Sequence, residues 1–143
     1  MKTKTKTRVI LLSTAVVVLY FVALLSCKIK QRIDLLNLLK PADIHNLSVI
    51  CFEKSHFEKD WWMAWKCTLP KDEIYSLLRS AQPLYDEYER QNLIANLSFA
   101  FHSKLDAEAL HGFIRIGSNP NNPRVRILCN ENSSEIFIWV DSL

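Results

Sequence analysis

An apolar run near the amino terminus is the feature that most constrains this chain. Residues 9–27, VILLSTAVVVLYFVALLSC, contain no charge, no proline and no glycine, and in the tail before them a lysine or arginine at every second position alternates with threonine. At about 1.5 Å rise per residue, a helix over this run covers about 28 Å, close to the roughly 30 Å hydrocarbon core of a bilayer. A cleaved export signal has a shorter apolar run, of about 7 to 15 residues. The sequence therefore predicts a basic tail at 1–8 and a retained transmembrane anchor at 9–27.

The end of this run supports an alternative. Leu24-Leu25-Ser26-Cys27 resembles the lipobox of bacterial lipoprotein signals, in which cleavage leaves an acylated cysteine as the first residue of the mature chain. The run is then a lipoprotein signal, and the protein is lipid-anchored through Cys27. In a eukaryotic chain, a cysteine at the membrane interface is instead a candidate for palmitoylation. Each alternative makes Cys27 a candidate lipidation site and leaves the protein bound to a membrane.

The tail also predicts the orientation of the chain. Eight residues with four positive charges are typical of a basic n-region, which stays in the cytoplasm while the following chain is exported. The positive-inside rule adds only a weak preference in the same direction, because basic residues also follow the run: Lys28, Lys30, Arg32 and Lys40. The sequence thus predicts a single-pass protein with a cytoplasmic amino terminus and an extracytoplasmic carboxy-terminal domain.

Composition limits the exported part to one domain and removes two classes of function. The chain has 143 residues, and the 116 that follow residue 27 suffice for one domain. They hold 14 lysines and arginines, the chain's 18 less the four of the tail, against all 15 acidic residues, so they lack the basic surface of a nucleic-acid-binding protein. With two glycines in the chain, glycine-rich phosphate loops are absent, and no cofactor is predicted.

Periodicity predicts an α+β fold. Apolar residues at helical spacing predict a juxtamembrane helix and linker at 28–41, with the helix ending near residue 39, and an extracytoplasmic domain at 42–143. Alternating apolar residues at 44–53 and 61–69 predict two strands joined by a longish polar loop, KSHFEKD. A helix follows from Pro70, with Asp72 and Glu73 in its first turn and Pro83 at its end.

The rest of the domain is predicted to consist mainly of strands and turns. Residues 84–92 predict an ordered loop, and turn compositions occur at 117–123 and 130–134. Four strand-like runs complete an antiparallel sheet with one main helix, at residues 93–102, 110–117, 124–129 and 135–141.

Two features of the first two strands are candidate sites. If the strands pair, Cys51 and Cys67 share one face, which predicts a disulfide in an oxidising compartment; the alternative is that both are buried as small apolar residues. Trp61 and Trp65 share a face, and Trp62 takes the other. Core packing is the usual role of tryptophan, so Trp62 is the one predicted to offer a contact surface.

No motif in the sequence carries recognisable chemistry. His102 and His111 flank a short connection with Asp106 and Glu108, but their spacing shows no metal or acid/base site. The acidic cluster at 86–89 is interpreted as a solvated loop. No catalytic, cofactor or metal residue is therefore assigned, and we expect a membrane-anchored, non-enzymatic interaction or envelope-associated protein, with the membrane and another protein as partners. The alternatives are a small membrane-bound enzyme that uses cysteine and histidine, and a ligand-binding or inhibitor lipoprotein.

Overall fold

A computed structural model describes residues 2–40, 42–57, 60–115, 124–130 and 132–141. In this part of the chain three helices accompany a six-stranded antiparallel sheet, as the α+β interpretation predicts. The predicted turn at 117–123 lies outside the described residues. The elements in chain order are α1 (Lys2–Leu39), β1 (Ser48–Phe57), β2 (Asp60–Thr68), α2 (Lys71–Leu78), β3 (Gln82–Pro83), α3 (Glu87–Ala100), β4 (His111–Arg115), β5 (Arg124–Cys129) and β6 (Glu135–Asp141).

The first helix, α1, runs for 38 residues from the basic tail to Leu39, where the helical spacing predicts its end. Its segment Leu12–Leu39 is long and apolar enough to cross a membrane. Side chains from residue 12 to residue 30 are exposed, and the character of the helix then changes, because Leu35 and Leu39 are fully buried. The end of α1 is thus part of the folded domain.

The sheet has both faces covered, in the strand order β1-β2-β6-β5-β4-β3. The last turns of α1, together with helix α2, pack on one face of the sheet, here called the α2 face. The buried strand residues on this face include Trp65, Ile127 and Ile138. Helix α3 packs on the opposite face, the α3 face, against residues such as Leu128 and Phe137. Because β6 is covered on both sides, its sequence reads as a continuous apolar run rather than an alternating one.

The predicted strand at 93–102 is wrong, and so is the predicted loop at 84–92, because most of both segments belongs to α3. Leu93, Ile94, Leu97 and Ala100 are buried together against the α3 face, which is the spacing of one face of a helix. Asp86 caps this helix, since its carboxylate accepts hydrogen bonds from the backbone N–H groups of residues 88 and 89. The described part of the domain therefore has two helices after α1, where the sequence predicts one main helix.

The predicted hairpin is present with shifted bounds. Strand β1 begins at Ser48 and extends to Phe57, through most of the polar stretch that the sequence predicts to be a loop. Strand β2 begins at Asp60. The pairing of the two strands changes register between Val49 and Cys51, where β1 contains a bulge. Helix α2 follows with Pro70 as its N-cap, and the two-residue strand β3, which the sequence does not predict, pairs with β4.

Buried charges join the end of α1 to the domain. The guanidinium group of Arg115, a buried residue of β4, donates hydrogen bonds to the carbonyl oxygens of Leu39 and, at 2.5 Å, Lys40. The following linker is held by Glu73 of α2, whose carboxylate accepts from the backbone N–H groups of His45 at 2.9 Å and Asn46 at 3.1 Å. Burial raises the pKa of Glu73, but these hydrogen bonds outweigh it and lower the pKa below its ordinary value.

The buried leucines of α1 give a test of this docking. Leu35→Ala should lower the free energy of unfolding by about 2 to 5 kcal/mol, the usual cost of truncating a buried leucine. Ile33→Ala is the matched control on the same helix, because its side chain is 52% exposed, and should change that energy by no more than about 0.5 kcal/mol. Urea unfolding of the full chain in detergent micelles, followed by tryptophan fluorescence, measures both. Equal effects would show that α1 does not dock on the domain.

Candidate functional site

Cys27, the candidate lipidation site, lies on the exposed surface of α1. The side-chain amide of Gln31, one turn further along the helix, donates a hydrogen bond to its sulfur at 3.4 Å. Eight residues, or about 12 Å of helix, separate Cys27 from Leu35, which is fully buried. A lipid attached to Cys27 and a bilayer that surrounds the preceding residues would therefore both lie close to the domain.

The predicted same-face arrangement of Cys51 and Cys67 is wrong. Because of the bulge in β1, Cys51 pairs with Lys66 and Val49 pairs with Cys67, so the two cysteines lie on opposite faces of the hairpin. Both thiols are free in the structure. Cys67 is fully buried on the α2 face, and burial raises the pKa of its thiol to about 12, so it packs as a small apolar residue.

The three clustered tryptophans divide between the faces as the sequence predicts. Trp65 is 1% exposed in the core of the α2 face, and its indole N–H has no hydrogen-bond partner among the described residues. Trp62 lies on the α3 face, half-buried, with its ring stacked on that of Trp139 at a centroid distance of 4.8 Å. Part of the Trp62 ring therefore remains open to solvent beside the exposed residues of β1.

The acidic cluster at 86–89 is structural. Asp86 is the cap of α3, and Glu87 forms a salt bridge with Arg90 at 2.7 Å, which together with Gln91 lowers the pKa of its carboxyl group to about 2. The carboxylate of Glu89 accepts a hydrogen bond from Arg126 at 2.8 Å, and Arg126 also pairs with Asp141 of β6. These acidic side chains start α3 and attach it to the sheet. The sequence signal for this role is Asp86 followed three residues later by Glu89, ahead of a helical apolar pattern.

A groove with a mostly apolar lining and a volume of about 160 Å³ lies between α2 and the ends of β4 and β5. His111 and Cys129 lie in it as direct cross-strand partners of β4 and β5. Sequence reasoning misses this pair, because the two residues are far apart in the chain and only the strand register brings them together. The described residues that line the groove are Lys71, Ile74, Tyr75, Leu78, His111, Phe113, Cys129, Asn130 and Ser133.

Of the histidines and carboxylates that the sequence places near one another, His111 and Glu108 line the same groove at the sheet edge, whereas His102 and Asp106 do not line it. Asp106 accepts a hydrogen bond from the backbone N–H group of Glu108 in a local turn, and His102 follows α3 with its ring near that of Phe99. Two further grooves on the α3 side and at the sheet edge, of about 220 and 410 Å³, do not include His102. Among the described residues, no group of three or more histidines, cysteines and carboxylates could hold a metal ion.

No protein family, no curated protein and no solved structure matches this chain.

The two tryptophans with different burial give a test of the sheet's faces. Trp65→Ala should lower the free energy of unfolding by about 3 to 5 kcal/mol, because it leaves a cavity in the core of the α2 face. Trp62→Ala should cost clearly less, since it removes a half-exposed ring whose stacking contributes about 0.5 to 1.5 kcal/mol beyond its buried area. Urea unfolding of the full chain measures both changes. If Trp62→Ala is the more damaging, the faces of β2 are assigned incorrectly.

Proposed function

We propose that this chain is a membrane-anchored, non-enzymatic interaction protein, with a single span, a cytoplasmic amino terminus and an extracytoplasmic domain. The support comes from the basic tail, the uncharged run and a helix long and apolar enough to cross a bilayer. An anchor through a lipid on Cys27 gives the domain the same location. In both cases the role is to hold the domain at the membrane surface.

The observation that carries this proposal is the continuity of α1 with the domain core. The helix does not break between the uncharged run and the buried Leu35 and Leu39, and Arg115 holds its last carbonyl groups. A flexible tether would let a domain sample a large volume. Here about 12 Å of helix separates the end of the uncharged run from the core. The domain is thus presented in a fixed orientation, which favours a partner that is also at the membrane.

The proposed contact surface is the outer edge of β1 together with Trp62. Strand β1 is at the edge of the sheet, and its exposed residues Glu53 and Ser55 share the α3 face with Trp62, because Ser55 pairs directly with Trp62. An unpaired edge can receive an extended segment of another protein as an added strand. A half-buried aromatic ring next to that edge supplies the apolar contact that such interfaces use.

The adjacency of His111 and Cys129 favours a second candidate function, a small membrane-bound enzyme that uses cysteine and histidine. A general base beside a thiol is the arrangement of a nucleophilic cysteine. The two candidates differ in the surface they use, since the edge of β1 and the groove lie at different positions of the sheet.

Fractionation tests the membrane assignment. The full-length protein should stay with the membrane fraction after high-salt and alkaline carbonate washing, because about 28 Å of uncharged helix is inserted in the bilayer. The mass of the mature protein then separates the two anchors. Retention of residues 1–26 indicates the spanning helix, whereas their loss together with added acyl chains indicates a lipoprotein. Recovery of full-length protein in the soluble fraction would refute both.

Site-specific photocrosslinking tests the contact surface. A photoreactive residue that replaces Ser55 should form one adduct of defined mass in native membranes, and the Trp62→Ala change should reduce its yield by about fivefold or more, as expected for a contact of at least 1 kcal/mol. The matched control replaces Asn92, an exposed residue of α3, and should give no such adduct. An identical pattern at both positions, or a yield insensitive to Trp62→Ala, would contradict the proposed surface.

A further inference from the structure

The sequence contains three acceptor motifs for N-linked glycosylation. Each has an asparagine followed two residues later by a serine, with no proline between them, at residues 46–48, 96–98 and 132–134. An N-linked glycan is a bulky polar group that lies on the protein surface. The motif alone does not discriminate among the three positions, but the surroundings of each asparagine in the folded domain do.

The first motif belongs to the linker that follows α1. The side-chain amide of Asn46 donates a hydrogen bond to the carboxylate of Glu73 at 2.6 Å, and Glu73 is itself buried. The middle residue of the motif, Leu47, is 2% exposed. A sugar on the amide nitrogen of Asn46 would have to lie against this buried carboxylate. The structure therefore disfavours a glycan at Asn46.

The second motif lies inside helix α3. Asn96 is exposed, but Leu97 is fully buried against the sheet. The hydroxyl group of Ser98 accepts a hydrogen bond from the backbone N–H group of Leu105 at 3.3 Å. Acceptor motifs that carry glycans are typical of surface loops, whereas the backbone of this segment is held in a helix that packs on the sheet. The structure therefore disfavours a glycan at Asn96 as well.

The third motif lies in the turn between β5 and β6, and both Asn132 and Ser134 are exposed. The hydrogen bonds of the turn use their backbone atoms. The N–H group of Asn132 donates to the side-chain oxygen of Asn130 at 2.8 Å, and the carbonyl oxygen of Ser134 accepts from the N–H group of Leu69 at 2.9 Å. The backbone of the motif is thus held in place while the asparagine and the serine lie at the surface.

The turn is also remote from the end of α1. Arg115, which binds the last carbonyl groups of α1, pairs with Val125 near the start of β5, and β5 ends at Cys129. Four residues of strand, or about 13 Å, separate these two positions of β5. A glycan on the turn would therefore leave the attachment of α1 to the domain undisturbed.

We propose that Asn132 is an N-glycosylation site, modified on the extracytoplasmic side of the membrane. The site rests on the proposed location of the domain on that side. The donor is an oligosaccharide linked to a polyisoprenyl diphosphate. The amide nitrogen of Asn132 forms a bond to the anomeric carbon of the first sugar, the bond from that carbon to the diphosphate oxygen breaks, and the lipid diphosphate leaves with the electron pair. The nitrogen gives one proton to a base of the transferase.

Deglycosylation of the full-length protein from its native membranes tests this site. Peptide N-glycosidase in water labelled with heavy oxygen converts a glycosylated asparagine into a labelled aspartate, which peptide mass mapping locates. The label should appear at Asn132 and not at Asn46 or Asn96, and the protein should lose the mass of one glycan. Absence of the label from Asn132 would overturn the proposal, whether or not another asparagine carries it.

Two neighbouring serines provide matched variants, expressed in the same cells. Ser134→Ala removes the hydroxyl group that the motif requires and leaves Asn132 in place, so the glycan should be lost completely. Ser133→Ala changes the middle position, where any residue except proline is accepted, and should keep the glycan. Retention of the glycan by Ser134→Ala would overturn the assignment to this motif.

Protease treatment of sealed vesicles with the cytoplasmic face outward separates this site from the proposed location of the domain. Protection of a domain that carries the label at Asn132 is the expected result. A protected domain without a glycan at Asn132 would overturn the glycosylation site and leave the location standing. Cleavage of the domain in intact vesicles would place it in the cytoplasm and overturn both.

Discussion

The last carbonyl groups of a helix need donors, and in this protein a buried arginine supplies them to α1. Arg115 reaches from β4 to the carbonyl oxygens of Leu39 and Lys40. A positive charge is favourable there because the helix dipole is negative at its carboxy-terminal end. Burial lowers the pKa of this guanidinium, yet arginine stays charged in proteins, so the contact persists at all ordinary pH values. The position of the domain relative to the apolar helix depends on this contact and on the two buried leucines.

A sheet with both faces covered explains how a small domain builds two cores. The α2 face packs against the end of α1 and against α2, which follows β2 in the chain, and the α3 face packs against a helix between β3 and β4. Each core has its own polar attachment. Glu73 holds the linker after α1, and the Glu89, Arg126 and Asp141 cluster holds α3. The carboxylate of Glu73 is satisfied by hydrogen bonds, and Glu89, Arg126 and Asp141 pair their charges, so both attachments fix the positions of helices.

The two proposed sites use different parts of this sheet. The free edge of β1 and Trp62 form an open surface suited to an extended segment, whereas α2 and the ends of β4 and β5 form a groove that His111 and Cys129 line. In the proposed membrane-anchored protein, the continuous helix α1 would present both in a defined orientation. The two sites are independent, because a change in the groove would leave the β1 edge unchanged, and loss of the β1 contact would leave the groove intact.

The sequence by itself determined the elements whose pattern is long or strongly punctuated. The part of α1 from residue 9 to residue 39 follows from an uncharged run continued by leucines at helical spacing, whereas its first residues lie in the predicted basic tail. Helix α2 follows from the proline and acidic residues at its start, and β5 and β6 from their apolar runs. The separate faces of Trp62 and Trp65 also follow, because the side chains of a strand alternate.

The tertiary structure decided what depends on pairing between distant residues. The run at 93–100 fits both a strand and a helix over a short window, and burial of Leu93 and Leu97 against the sheet selects the helix. The bulge adds one residue to β1 and so places Cys51 on the face of the hairpin opposite to Cys67. The residue composition of β1 does not predict such a bulge. The neighbours of Cys129 depend on the register of β4 with β5, and the partners of Arg115 on where α1 ends in space. Local periodicity predicts which side chains point into a core. Which residues contact one another inside that core depends on the strand register and on how the helices pack on the sheet.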